Sequence, residues 1–275
     1  MLKKRKITGL ILQVLLLAFT LVYLSPIIYM VLNSLKPYSQ MLREPWALPE
    51  SLFLDNYIKA FGQMQFWTSL GNSIVITASS VFLIVILGVL AAYPLSRFRN
   101  RLTGFLSVYF LVGYMVPTQV LIVQIFSVMK VFHLINTKTG LILVYSASVS
   151  FAIFMYQGFI RALPIDMEES ALIDGANPWQ LFWNVVFPMI KPVTATIVIF
   201  QTMWIWNDFT LSSLLLSSRD QMTLLLELNL CVGEFNLDWS VMLAIMCIVM
   251  LPMVIFYLLM QKQIIAGMTS GAVKG

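Results

Sequence analysis

Apolar residues run along this chain in long charge-free stretches, broken by short polar clusters rather than by regular alternation. The intervals lie between Lys6 and Lys36, Lys59 and Arg97, Arg101 and Lys130, Lys138 and Arg161, Lys191 and Asp208, and Asp238 and Lys262. A helix needs about 20 apolar residues to cross a bilayer. The pattern therefore predicts six membrane-spanning helices at residues 10–32, 70–95, 104–128, 140–161, 192–214 and 240–261, in one all-α domain covering 1–275. Pro26, Pro117 and Pro252 fall inside predicted spans. Each lacks a backbone donor and is expected to bend its helix. The first interval opens on Lys3-Lys4-Arg5-Lys6 and stays apolar beyond the length of a signal peptide, so it is read as a retained span.

Composition supports this reading. The chain has 275 residues, 60% hydrophobic and only 11% charged, against about 25% charged in soluble domains. The mean hydropathy is +0.88. The net charge of +5 does not imply nucleic acid, because the basic residues cluster at the ends of apolar runs and form no aromatic-interleaved stripe. Placing both termini in the cytoplasm puts 11 of the 17 Lys and Arg inside and leaves Lys36, Arg43, Lys59, Lys130, Lys138 and Arg219 outside, as the positive-inside rule favours. Cys231 and Cys247 supply no disulfide framework, and His133 is the one histidine. No metal or catalytic motif of the H-E-x-x-H or G-x-S-x-G kind occurs, which argues against a membrane enzyme.

The segment 163–190, placed in the cytoplasm by this orientation, departs from its surroundings. It carries Asp166, Glu168, Glu169 and Asp174, with no base between Arg161 and Lys191. Acids in a first turn suit the helix dipole. Gly175 suits the position that ends a helix, and Asn177 with Pro178 suits the start of the next. The expected element is helix–turn–helix. An acidic surface is a poor fit to a negative inner leaflet and points to a protein partner.

These residues resemble the cytoplasmic loop of type I ABC importer permeases, whose pattern is E-A-A, three residues, Gly, nine residues, Ile, one residue, Leu-Pro. The matching positions are Glu169-Ser170-Ala171, Gly175, Val185 and Phe187-Pro188, with Ser170, Val185 and Phe187 departing from the pattern at intact spacing. Trp206–Phe209, Asp238-Trp239 and the tail from Gly267 to Gly275 look like the carbohydrate-uptake branch. The short N-terminus resembles the smaller permease of maltose/maltodextrin-type heterodimers. The resemblance implies a six-helix permease without catalytic activity, in the plasma membrane of a prokaryote. It implies a second permease, two ATPase subunits that bind ATP and Mg, and an extracytoplasmic sugar-binding protein. This chain itself would hold no cofactor and no metal. The 163–190 loop would be the coupling helix, with Met167, Glu169, Ser170, Ala171, Leu172, Asp174, Gly175, Val185, Phe187 and Pro188 engaging the ATPase. The absence of any Gly-Lys dipeptide, and so of a phosphate-binding loop, puts ATP hydrolysis on another polypeptide.

Candidates for the substrate path are Trp204, Asn207 and Asp208 near the end of the fifth span, with Asn72 and Ser73 opening the second. An ionisable group near a span is a functional candidate, and aromatic faces stack on sugar rings. The alternative is that Asp208 reaches interfacial water and the tryptophans form an aromatic belt. The outer loop 33–68 is a candidate contact for a binding protein, or a solvated loop. Two other readings stay open: a secondary transporter, which would show buried midplane charges and repeated halves, and an ABC permease for a non-sugar solute such as glycerol phosphate.

Overall fold

The computed structural model describes residues 2–234 and 239–272, with side chains given for all of these except 2–8, 10, 11, 234 and 264–272. Asp238 and residues 273–275, which belong to the motifs above, lie outside the described residues.

All regular secondary structure among the described residues is helical, with no strand. The helices are α1 (Leu2–Ser34), α2 (Tyr38–Arg43), α3 (Asp55–Gln63), α4 (Phe66–Arg97), α5 (Arg101–Met115), α6 (Ile122–Val131), α7 (Lys138–Ala147) and α8 (Ser150–Ala162). They continue as α9 (Asp166–Ile173), α10 (Pro178–Met189), α11 (Lys191–Trp206), α12 (Thr210–Leu215), α13 (Leu224–Glu234) and α14 (Trp239–Ala272). Three helices are long and apolar enough to cross a membrane alone, within α1, α4 and α14. Three bent pairs raise the number of spans to as many as six: Arg101–Met115 with Thr118–Val131, α7 with α8, and α10 with α11.

The breaks have local causes. The pattern predicts one helix over 104–128, but α5 stops at Met115 and the chain turns by 89° before continuing. Pro117 forces Val116 out of the helical region, to φ −76° and ψ 120°. Likewise α11 ends at Trp206, inside the predicted 192–214, and α12 begins at Thr210. By contrast, Pro26, Pro94 and Pro252 all lie inside continuous helices, as neighbouring groups allow in apolar surroundings.

The described residues divide into two compact units, 1–66 with 227–252, and 67–226 with 253–275. In the first unit, the chain after α1 is tied down by buried polar groups. Lys36 is fully buried. Its Nζ donates to the carbonyls of Glu44 at 2.9 Å and Pro45 at 3.1 Å, and to Asn33 Oδ1 at 3.3 Å. Burial lowers its pKa from the ordinary lysine value, opposed by the charge of Glu44. Asn56 donates to the carbonyl of Ser34, which the end of α1 leaves without a helical partner, and to that of Lys36 just beyond it.

The second unit holds the hydrophobic core. The buried face of α4, with Ile76, Ile84, Val89 and Ala92, belongs to one cluster with Ile153, Tyr156 and Ile160 of α8 and Val193 and Ile197 of α11. Helix α8 packs on both α5 and α11, and α12 on α6 and α7. At the crossing of α4 and α8 the backbones approach closely: a Cβ placed on Gly88 would stand 2.7 Å from the Cβ of Ala152. Outward faces remain apolar, for example Phe82, Phe105 and Val108, as a lipid-facing surface requires.

Candidate functional site

The segment from α9 to α10 is built as its residues dictate. Asp166, Glu168 and Glu169 occupy the first turn of α9, where the dipole favours acids. The helix ends in a Schellman turn: Gly175 N–H donates to Leu172 O at 3.1 Å, and Ala176 N–H to Ala171 O at 3.0 Å. Gly175 has φ +86°, a conformation that side-chain-bearing residues avoid. Helix α10 opens on a capping box in which Asn177 Oδ1 accepts from Gln180 N–H and Gln180 Oε1 accepts from Asn177 N–H, with Pro178 first in the helix. Its middle, Leu181–Val186, widens into a π turn. The widening directly precedes Pro188, whose ring cannot coexist with a regular i−4 carbonyl.

One residue of the segment points inward. Glu168 is buried at 6% exposure, while its neighbours Met167 and Glu169 are exposed. Its Oε1 accepts from Arg97 Nε at 2.8 Å and lies 2.5 Å from Arg97 Nη2. Its Oε2 accepts from Tyr93 Oη at 2.9 Å. Glu168 thus bolts α9 to the end of α4, 71 positions earlier in sequence. Around it Phe182 packs edge-on against Tyr93 at 5.5 Å, and Trp183 packs tilted against Phe187 at 4.9 Å. The sequence pattern did not single out Glu168, because the motif runs through Glu169. Nothing in the sequence sets it apart from Asp166, because its partner lies 71 positions away.

The residues expected to engage a partner are exposed or half-buried. Met167, Leu172 and Ile173 are exposed at 49, 50 and 86%. Glu169, Ser170, Asp174, Gly175 and Pro188 are exposed as well, and Ala171, Val185 and Phe187 are half-buried. A short helix with several exposed apolar and acidic residues, held to the fold by a buried ion pair, suits a docking element.

The path candidates fall into two groups, both tied within the fold. Asp208 Oδ2 accepts from Tyr145 Oη at 2.8 Å and from Leu211 N–H at 2.9 Å, so the carboxylate caps α12. Trp204 packs edge-on against Tyr145 at 5.7 Å. Asn207 is exposed and returns its amide to Met203 O. Asn72 and Ser73 are buried. Asn72 donates to the carbonyls of Asp220 and Met222, both at 2.9 Å, and accepts from Lys138 Nζ at 3.0 Å. Ser73 Oγ accepts from Leu224 N–H. These last two fasten the loop before α13 to the start of α4. No grouping of His, Cys, Asp or Glu able to hold a metal occurs among the described residues.

Comparison with known proteins gives this architecture relatives. Over 259 residues the chain is 30% identical to a probable starch degradation products transport system permease protein of Thermoanaerobacterium thermosulfurigenes, covering 94% of each. It is 34% identical to the multiple sugar-binding transport system permease protein of Streptococcus mutans, covering 99% of each. A solved bacterial ABC transporter involved in the import of the acidic polysaccharide alginate contains a chain that superposes with a TM-score of 0.82 at 26% identity, over 94% of this chain and 96% of that one. The binding-protein-dependent transport system inner membrane components match residues 84–269, from the core of α4 through the α9–α10 element into α14. Fold, span count and sequence thus converge, and the chain belongs to the family of binding-protein-dependent transport system inner membrane components, as a multi-pass ABC importer permease.

Proposed function

We propose that the chain forms one half of the membrane pathway of an ATP-driven importer for a sugar, most naturally an oligosaccharide. Its complex contains a second permease, two ATPase subunits that bind ATP and Mg, and an extracytoplasmic binding protein that selects the sugar. Both termini and the α9–α10 element face the cytoplasm, where α9 docks on the ATPase. The permease performs no covalent chemistry and alternates access under the ATPase stroke.

The observation that carries this reading is how α9 is held: Glu168 fixes it to α4 through Arg97, while Met167, Leu172 and Ile173, beside Glu169 and Asp174, remain exposed. A push on these exposed residues passes to a spanning helix. A single exposed ion pair contributes about 0–1 kcal/mol, far below the roughly 5.5 kcal/mol needed to turn a two-state equilibrium from 1:99 to 99:1. Docking of the whole face is therefore required. The sugar assignment draws on the relatives named for starch degradation products and multiple sugars. On the pathway side, Trp204 and Asn207 keep exposed surface suited to a sugar, whereas Asp208, Asn72 and Ser73 hold the frame around it.

Single-cysteine substitution at Ile173 tests the docking. A thiol cross-linker should join it to an ATP-hydrolysing subunit in native membranes, and the yield should change with nucleotide. Cross-linking to lipid alone, whatever the nucleotide, would refute the docking.

A further inference from the structure

A second feature sits at the same end of the second unit and is not used by the α9 surface. The turn between α4 and α5, with the end of α8, forms an open cavity of about 700 Å³. Four arginines line it, Arg97, Arg99, Arg101 and Arg161, and no carboxylate is among the lining residues. Arg97 is paired with Glu168, and Arg161 donates to Gln157 Oε1 at 3.2 Å. Arg99 and Arg101 make no hydrogen bond or ion pair among the described residues, and both are exposed. Asn100 caps α5, so the positive end of that helix also opens here.

The depression is open to its surroundings but not confined to the loop: it extends past Gly104 to Ser107, nearly two turns along α5, into a helix that belongs to a membrane span. Beside it runs an exposed apolar strip of Phe98, Leu102, Phe105 and Tyr109, exposed at 61–66%. Phe105 and Tyr109 stack at 6.4 Å. A free phosphate would use the guanidinium groups and have no use for the strip. A phosphate esterified to acyl chains uses both. Basic pockets at the ends of spans suit such headgroups, and arginine suits them better than lysine because its planar fork meets phosphate oxygens in pairs.

We propose that the arginine-lined cavity at the α4–α5 turn binds the phosphate headgroup of an anionic membrane lipid, whose acyl chains lie along the Phe98–Tyr109 strip. Arg99 and Arg101 supply the unpaired charge. Gly104 leaves the floor open: a Cβ placed there meets nothing within 4 Å. Because Arg97 contacts both this cavity and Glu168, the bound lipid stiffens the post to which α9 is bolted.

The test uses the full chain, with the subunits that co-purify, in nanodiscs of phosphatidylcholine with or without phosphatidylglycerol. Retained lipid is identified by native mass spectrometry after release into mild detergent. The wild-type chain should retain phosphatidylglycerol in preference to phosphatidylcholine. Arg99→Gln with Arg101→Gln should weaken retention by roughly 25-fold, from about fivefold per interfacial arginine. The Arg99→Lys, Arg101→Lys pair should lose much less. Gly104→Leu should abolish retention by filling the floor, and Arg43→Gln, which is not among the lining residues, should change nothing. Equal retention in the glutamine variant and the wild type would overturn the proposal. So would displacement of the lipid by inorganic phosphate alone, or a loss in the lysine variant as deep as in the glutamine variant. None of these readouts depends on an ATPase, so the result stands apart from the docking of α9.

Discussion

Replacing Glu168 by Gln removes one charge from a nearly dry ion pair while keeping the shape of the side chain. The side chains of Arg97 and Glu168 are 13 and 9% exposed, and the nearest approach is 2.5 Å. At an effective dielectric constant of about 20, two unit charges about 4 Å apart attract by about 4 kcal/mol. Part of that is offset by desolvation already incurred, yet breaking a buried pair from one side typically costs about 3–5 kcal/mol because the remaining charge stays buried. Here the amide oxygen of Gln can still accept from Tyr93 or Arg97, so about 3 kcal/mol is the appropriate figure. The loss falls on the attachment of α9 to α4. Hydrogen–deuterium exchange of the amides at 166–176 should then quicken by roughly 100-fold, since about 1.4 kcal/mol is a tenfold change in an opening equilibrium. In a reconstituted transporter the same variant should hydrolyse ATP with less uptake per ATP. Exchange altered by less than about tenfold would show that the ion pair does not hold α9, and the lever reasoning would fail.

Other perturbations follow from the same geometry. Gly175→Asp meets a φ of +86°, costs about 1–2 kcal/mol and should leave the protein inserted while lowering uptake per ATP; an unchanged ratio counts against it. Gly88→Ala drives a methyl to within 2.7 Å of the Ala152 Cβ and should destabilise the second unit by about 1–3 kcal/mol, read as a lower melting temperature in detergent. Asp208→Asn keeps an acceptor for Leu211 N–H and Tyr145 Oη and should preserve uptake. Asp208→Ala removes the cap at a cost of about 0.5–2 kcal/mol and should lower folded yield; strong loss of uptake in the Asn variant with normal yield would instead return Asp208 to the sugar path. Lys36 has a folded pKa below its unfolded value. Between the lowered and the ordinary lysine value the unfolded chain therefore holds more protons than the folded one, and stability of the first unit should increase as pH rises across that window. Lys36→Met should flatten this slope in pH-dependent melting, while weakening the segment by removing the amine's bonds to the Glu44 and Pro45 carbonyls, which keep only Ala47 N–H and Asn33 Nδ2.

Local chemistry was legible without coordinates. A charge-free run of sufficient length has few options but to cross a membrane, because backbone groups in lipid must bond within their own helix. Gly175 ends α9 and Asn177-Pro178 opens α10 for reasons confined to a few neighbouring residues, so a single sequence announces them. Even the interruption at Pro117 has a local cause, although the sequence predicts only a bend and the structure turns by 89°.

Pairings across the chain were not legible. Glu168 and Asp166 look alike in sequence, but one faces Arg97 across 71 residues and the other is exposed. Asp208 reads as a pathway charge until Tyr145 and Leu211 N–H close on it. Asn72 reads as a polar residue opening a span until two carbonyls near residue 221 and the amine of Lys138 surround it. Spacing along a helix fixes which residues share a face, but only the packing of helices decides what that face meets. Sequence alone determined that this chain spans a membrane and carries an acidic helical hairpin; tertiary structure decided which of its charges are anchors and which remain outward, because a buried charge is defined by partners that folding brings from far away.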